Sequence, residues 1–303
     1  MTTTLAPQPA ASAAPKEAAA VGHSIPAERE RRSTTAALAF LRAAAARAGS
    51  GVWKAAGILA FLALWELGPT YLASPSTRVF LPPLHEVLAA WGKLFQSGTI
   101  QGHLAASLTR SVTGFGAALV AGVSLGLLIA WYRRLNSVLN PVLELFRNTA
   151  ALALLPVFTL LLGIGEESKI SIVAYAAFFP VLLNTIAGVK TVDPLLIRAA
   201  KSLGLSSLAL FRKVILPSAV PTIFTGIRMA GTASILVLIA AEMVGAKAGL
   251  GYLIVNAQSS FLIPDMYAGI LTVSLLGLAV NFLLVALERH FSRWRTAVGS
   301  GSA

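Results

Sequence analysis

Long apolar runs dominate this chain, and they decide most of what it can fold into. A helix crossing roughly 30 Å of hydrocarbon needs about 20 consecutive, mostly apolar residues. Six segments meet or approach that requirement: Val52–Leu72, Leu108–Tyr132, Pro141–Leu162, Ile170–Val189, Thr222–Glu242 and Tyr267–Leu287. Composition agrees: 56% of residues are hydrophobic, only 12% are charged, and the mean hydropathy is +0.76. Soluble domains carry about a quarter charged residues. The fold class expected is therefore all-α, a polytopic membrane protein with six transmembrane helices. Gly122 and Gly126 in the second span form a GxxxG pair, which lets helix backbones approach closely.

Charge sets the expected orientation. With six spans both ends lie on one side. Placed in the cytoplasm, that side collects the basic leader with Lys54, then Arg133 and Arg134, Lys190, Arg198, Lys201, Arg212 and Lys213, and finally Arg289, Arg293 and Arg295. The other side keeps only Arg78, Lys93, Lys169 and Lys247, scattered singly. This asymmetry follows the positive-inside rule, so the net charge of +12 is topological and no nucleic acid is needed to explain it. The expected location is the cell (inner) membrane, with both termini cytoplasmic and lipid as surroundings. Three regions are expected. Residues 1–50 form a disordered cytoplasmic tail, with Ala36–Ala48 either a surface helix or disordered. Residues 51–290 form the membrane domain, and residues 291–303 a second tail. The first apolar run starts too deep in the chain for a cleaved signal. There is no cysteine, hence no disulfide framework and no thiolate metal site.

The connection between the fourth and fifth spans is far longer than a connector needs to be. It reads as two short helices over residues 193–217. Asp193-Pro194 is an N-cap with proline at the first helical position. Leu195, Leu196, Ala199, Ala200 and Leu203 then make one apolar face, and Gly204 stops the helix. Ser206 caps a second helix carrying Leu208, Phe211 and Ile215, which Pro217 is expected to end. Arg198, Lys201, Arg212 and Lys213 lie on or beside the polar faces. Read from the residues alone, this is an amphipathic hairpin under the membrane or an ordinary loop on the lipid surface.

The run Arg198-Ala199-Ala200-Lys201-Ser202-Leu203-Gly204, then nine residues, then Val214-Ile215-Leu216-Pro217 resembles the EAA signature of ATP-binding-cassette importer permeases. Ala199, Ala200, Gly204, Leu216 and Pro217 match it, Val214 replaces Ile conservatively, and Arg198 stands where the signature has Glu. Further segments resemble the nitrate/sulfonate/taurine/bicarbonate-type permeases. These are Leu81-Pro82-Pro83 through Leu88, His103 to Leu108, Gly163-Ile164-Gly165-Glu166, Phe178-Phe179-Pro180, and Ala241-Glu242-Met243-Val244-Gly245 through Gly249-Leu250-Gly251-Tyr252. Arg147-Asn148-Thr149-Ala150-Ala151-Leu152 departs from the proline-rich segment that many members have there. The resemblance implies a type I importer permease fold and three kinds of partner: ABC ATPase subunits, a periplasmic or lipid-anchored substrate-binding protein, and a second copy in a homodimer. It also implies that Arg198, Ala199, Ala200, Lys201, Gly204, Val214, Leu216 and Pro217 form the hairpin that couples to the ATPase.

Ionisable and polar residues at membrane depth are costly and therefore candidates for a substrate path. Arg110, Asn184, Arg228 and Glu242 are the four candidates, with the two arginines as the positive groups for an anionic solute such as nitrate or a sulfonate. Asn184 can line a path or bond a neighbouring helix, Arg228 can snorkel to the surface, and Glu242 at a span end can be plainly solvated. Glu144 and Arg147, at i and i+3, are expected to pair locally. Residues Leu84–Phe95 read as a surface helix, with Trp91 and Tyr252 as interfacial anchors or as part of a face for the binding protein. No GxxxxGK[ST] phosphate loop occurs, and His23, His85, His103 and His290 have no metal-ligand spacing. No enzyme activity, cofactor or metal is expected in this chain, so ATP and Mg belong to a partner ATPase. A secondary transporter or channel working without an ATPase is the competing class, which repeats or broken helices would favour.

Overall fold

Apolar segments of this length satisfy every backbone group internally only as helices, and all regular structure described is helical. The computed structural model describes Trp53, residues 56–72 and residues 74–291. The expected leader, with its surface helix, and the tail beyond residue 291 lie outside the described residues, as do parts of the first expected span. Of that span, residues 56–67 are helical and run into a π turn at Gly68–Leu72.

From Ser74 onward the helices are α1 (Pro75–Phe80), α2 (Leu84–Gln96), α3 (Thr99–Trp131), α4 (Arg133–Arg147), α5 (Leu155–Leu162) and α6 (Glu166–Lys190). They continue with α7 (Pro194–Ser202), α8 (Ser207–Leu210), α9 (Leu216–Met243), α10 (Leu250–Ser259) and α11 (Ile263–Phe291). Among the described residues four helices are long and apolar enough to cross a membrane, namely α3, α6, the α8–α9 run and α11. The pair α4 and α5 makes a fifth crossing if taken together. The expected surface helix is present as α2. Trp91 reaches α11, its Nε1 donating to Thr272 Oγ1 at 3.1 Å.

The third expected span, Pro141–Leu162, is not one helix. Its two halves, Arg134–Arg147 and Ala151–Leu162, are bent by 85°. The cause is local. Asn148 Nδ2 donates to Glu144 O at 2.8 Å and Thr149 Oγ1 to Leu145 O at 3.2 Å, so side chains satisfy the last carbonyls of α4. Ala150 is then extended (φ −64°, ψ 118°), a 3-10 turn at Ala151–Leu154 follows, and Pro156 falls in the first turn of α5, where a missing N–H costs nothing.

At the core, α6 packs along α3 on one side and α9 on the other. Gly114, Ala118, Gly122 and Gly126 repeat every four residues and bring α3 down onto α6. A Cβ on Gly126 would stand 2.7 Å from Thr185 Cβ, and one on Gly122 2.9 Å from Val181 Cγ1. The expected GxxxG pair is thus the lower half of a longer stripe. Gly226 does the same between α9 and α6, over Asn184 and Pro180. Small residues at a crossing give dispersion contact between backbones, the main attraction available to helices in lipid. Ala118, Ala177, Val181 and Ala230 join the three helices in one apolar cluster.

Candidate functional site

The hairpin between α6 and α9 is built much as its sequence requires. Asp193 Oδ1 accepts from Leu195 N at 2.8 Å, capping α7. Gly204 turns the chain in the left-handed region at φ +74°, and Leu205 N donates back to Ala200 O at 3.2 Å. Ser206 Oγ accepts from Ala209 N at 3.4 Å to start α8. Val192, Ala200, Leu210 and Ile215 are buried together, with Val189, Ile197, Leu205, Phe211 and Val214 packed on them. Trp131, at the end of α3, meets the Phe211 ring edge-on at 5.0 Å. A core of this kind makes the hairpin stiff and ties it to the bundle end.

Two expectations about the hairpin need correcting. Pro217 does not end its second helix. The chain passes through a π turn at Phe211–Ile215, Leu216 N–H reaches Phe211 O, and the helix continues as α9. Pro217 falls directly after that wider turn, in the first turn of α9. The apolar face of α7 also divides. Ala200 is buried, but Ala199 is exposed and Leu195, Leu196 and Leu203 are 64%, 51% and 80% exposed. The buried side is set by Ile197 and Ala200 instead, because they alone face Val192, Leu210 and Ile215.

At the other end of the bundle, three segments distant in sequence converge. Arg110 of α3, only 3% exposed, donates Nε and Nη2 to the Glu166 carboxylate at 2.5 and 2.6 Å. Its Nη1 donates to Glu242 Oε1 and to Ala248 O, both at 2.7 Å. Glu242, 1% exposed, also accepts from Ser107 Oγ at 2.8 and 2.9 Å and from Gly251 N at 3.0 Å. Ser107 Oγ in turn accepts from Leu250 N, and His103 Nδ1 accepts from Gly249 N. Lys169, also buried, gives its Nζ to Gly165 O at 3.0 Å. A buried charge is tolerated only when paired and hydrogen-bonded, and Glu242 meets both conditions. It is therefore not a solvated span end. The loop 244–249 closes over it because Gly249 has φ +123° and leaves room where a Cβ would stand 2.4 Å from the Glu242 carboxylate.

The remaining candidates separate. Arg228 Nη1 pairs with Glu288 Oε2 of α11 at 3.1 Å. Asn184 lines a cavity of about 290 Å³ with Arg147, Thr149, Tyr175, Phe179 and Met229 among its walls, and donates Nδ2 to Pro180 O at 2.8 Å. Arg147 pairs with Glu144 at 3.0 Å, as the i, i+3 spacing anticipates. Sequence reasoning missed Glu166 and Ser107 as partners of Arg110 and Glu242, His103 as the acceptor for Gly249 N in the loop over them, and Arg147, Thr149 and Tyr175 as neighbours of Asn184. The only prior signal was that His103–Leu108, Gly163–Glu166 and Ala241–Tyr252 all lay in the resembling segments. Among the described residues no group of three or more His, Asp or Glu side chains gathers to hold a metal ion.

Comparison with known proteins agrees with this architecture. Residues 119–296 match the family model of the binding-protein-dependent transport system inner membrane component. A probable ABC transporter permease protein of Brucella abortus (strain 2308) is 34% identical over 229 residues, spanning 76% of this chain and 92% of that protein. The taurine transport system permease protein TauC of Escherichia coli (strain K12) is 37% identical over 239 residues, 77% of this chain and 86% of TauC. The bicarbonate transport system permease protein CmpB of Synechococcus elongatus is 32% identical over 246 residues, 78% and 88% of the two chains. Among solved structures, an inward-facing form of the MetNI methionine ABC transporter matches with a TM-score of 0.54 at 19% identity, covering 63% of this chain and 95% of that one. The broken α4–α5 pair, the stiff hairpin and the α3–α6–α9 core therefore belong to an ABC permease: the chain is a member of the binding-protein-dependent transport system inner membrane component family.

Proposed function

We propose that this chain is the translocating subunit of an importer for a small anionic solute, sulfonate- or nitrate-like, driven by separate ATPase subunits that bind ATP and Mg. The observation that carries the coupling role is the hairpin 193–217, braced by its own core and offering an exposed face. ATPase closure displaces that rigid element, and α6 and α9, continuous with it, carry the displacement into the bundle, so that the path opens alternately to either side. Arg198, Ala199, Ala200, Lys201, Gly204, Val214, Leu216 and Pro217 form the coupling element. A periplasmic or lipid-anchored binding protein delivers the solute, two copies of the chain complete the path, and both termini lie in the cytoplasm. This chain performs no catalysis itself. Names of relatives that carry taurine, aliphatic sulfonates and bicarbonate support the solute class.

Within this reading the path passes Asn184 and its cavity. Arg110 and Glu242 hold the outer end of the bundle, and Arg228 joins α9 to α11. The test is to tag the chain, solubilise native membranes gently and identify what co-purifies, with Gly204→Trp as control. An ATPase subunit retained by the native chain and lost by the variant, which still inserts, is the expected result. A chain that purifies alone and moves solute in vesicles without ATP overturns the proposal in favour of a secondary transporter.

A further inference from the structure

The hairpin carries more positive charge than its own structure uses. Within residues 193–217 the cations are Arg198, Lys201, Arg212 and Lys213, and the single acid is Asp193, whose carboxylate is occupied as the α7 cap. All four cations are exposed, and no carboxylate lies within ion-pair distance of any of them among the described residues. Leucines are interleaved with them on the outward side. Leu195 stands three residues before Arg198 on α7, Leu203 is 80% exposed at the turn, and Leu208, 67% exposed, stands one helical turn before Arg212. Arg212 and Lys213 also line a recess of about 500 Å³ with Ser206, Leu208 and Ala209.

We infer that the groove receiving this hairpin is acidic, with carboxylates opposite Arg198 and Arg212 and an apolar floor for Leu195, Leu203 and Leu208. This rests on the proposed coupling role and adds the chemistry of the partner surface. A protein groove fits better than a lipid headgroup layer. The inward side of α7 is already filled by Val192, Leu210 and Ile215, and the hairpin is braced and capped at each turn. A loop lying on lipid needs no such rigidity, whereas an element that must enter one shaped recess does. Charge pairs at the rim would set which ATPase is accepted and how quickly it docks.

The test places a photo-reactive benzoylphenylalanine at Leu203 of the full-length chain in native membranes and sequences the cross-linked peptide. The expected partner contains a GxxxxGK[ST] loop, and its linked peptide has at least one Asp or Glu within a helical turn of the attachment point. Arg198→Glu with Arg212→Glu should lower the yield about tenfold or more, and changing the partner's acid to Lys should restore it. The doubly substituted chain must still insert, checked by its abundance in the membrane fraction. A cross-link to an ATPase peptide with no acid nearby, or a yield indifferent to charge reversal, overturns the acidic groove while the coupling role stands. A cross-link to lipid alone, or none, overturns both.

Discussion

Arg110 and Glu242 show how one residue pair fixes the meaning of several others. Arg110→Ala leaves the Glu242 carboxylate fully buried with only hydroxyl and amide donors, and removing one partner of a buried pair costs roughly 3–5 kcal/mol. Thermal unfolding of the purified permease in detergent should register that loss. Glu166→Ala should cost under about 1 kcal/mol, because its carboxylate is 63% exposed and Arg110 keeps Glu242. Replacing Arg110 and Glu242 together should recover part of the single-variant loss, since neither charge is then stranded. If the Glu166 and Arg110 variants unfolded alike, the buried half of the cluster would not be its foundation. Arg110 and Glu242 were legible as candidates, but their pairing was not: Arg110 lies 56 residues from Glu166 and 132 from Glu242. Periodicity reports which face of a helix is apolar, but not which distant carboxylate a buried arginine meets.

At the scale of elements, apolar run length located α3, α6, α9 and α11 and placed the C-terminal ends of the first three within a residue, but it put every start several residues inside the true one. Polar first and last turns continue a helix beyond its apolar stretch: α6 begins at Glu166, where an acid favours the N-terminus, four residues before its apolar run. The bend in Pro141–Leu162 escaped the same reasoning because Asn148 and Thr149 end α4 by bonding its carbonyls, a choice that depends on side-chain rotamers and not on hydropathy. The α3–α6 crossing was legible, since small residues four apart have few other uses in lipid. It yields a sharp expectation. Gly126→Leu forces atoms into Thr185, already 2.7 Å from a bare Cβ, and should destabilise the protein by about 1–3 kcal/mol. Thr185→Gly should restore part of the loss, measured as the melting temperature of the double variant. Recovery of nothing would mean that the two helices do not meet at that point.

For the whole molecule the decisive question is which end faces which compartment, and the chain is well suited to answer it because it has no cysteine. From Thr99 the helices run alternately between two ends. One end holds the hairpin and Lys190, whose Nζ donates to Asn136 Oδ1 at 2.9 Å, and the other holds the loop over Glu242. Ser202 is exposed at the first end and Ser260 at the second. Clustered Lys and Arg make the cytoplasm the expected side of the hairpin end. An impermeant maleimide added to intact spheroplasts should therefore label Ser260→Cys and leave Ser202→Cys untouched, with the pattern reversed in inverted vesicles. Labelling of Ser202→Cys from outside would overturn the orientation, and with it the access of a cytoplasmic ATPase to the hairpin. The same reagent decides the number of crossings. Five passes from Thr99 to Phe291 put the end of α11 at the hairpin side, so a sixth helix before them puts the leader there too. Ser33→Cys should behave as Ser202→Cys does; if it labels from outside, the segment before α1 does not cross and the chain has five spans.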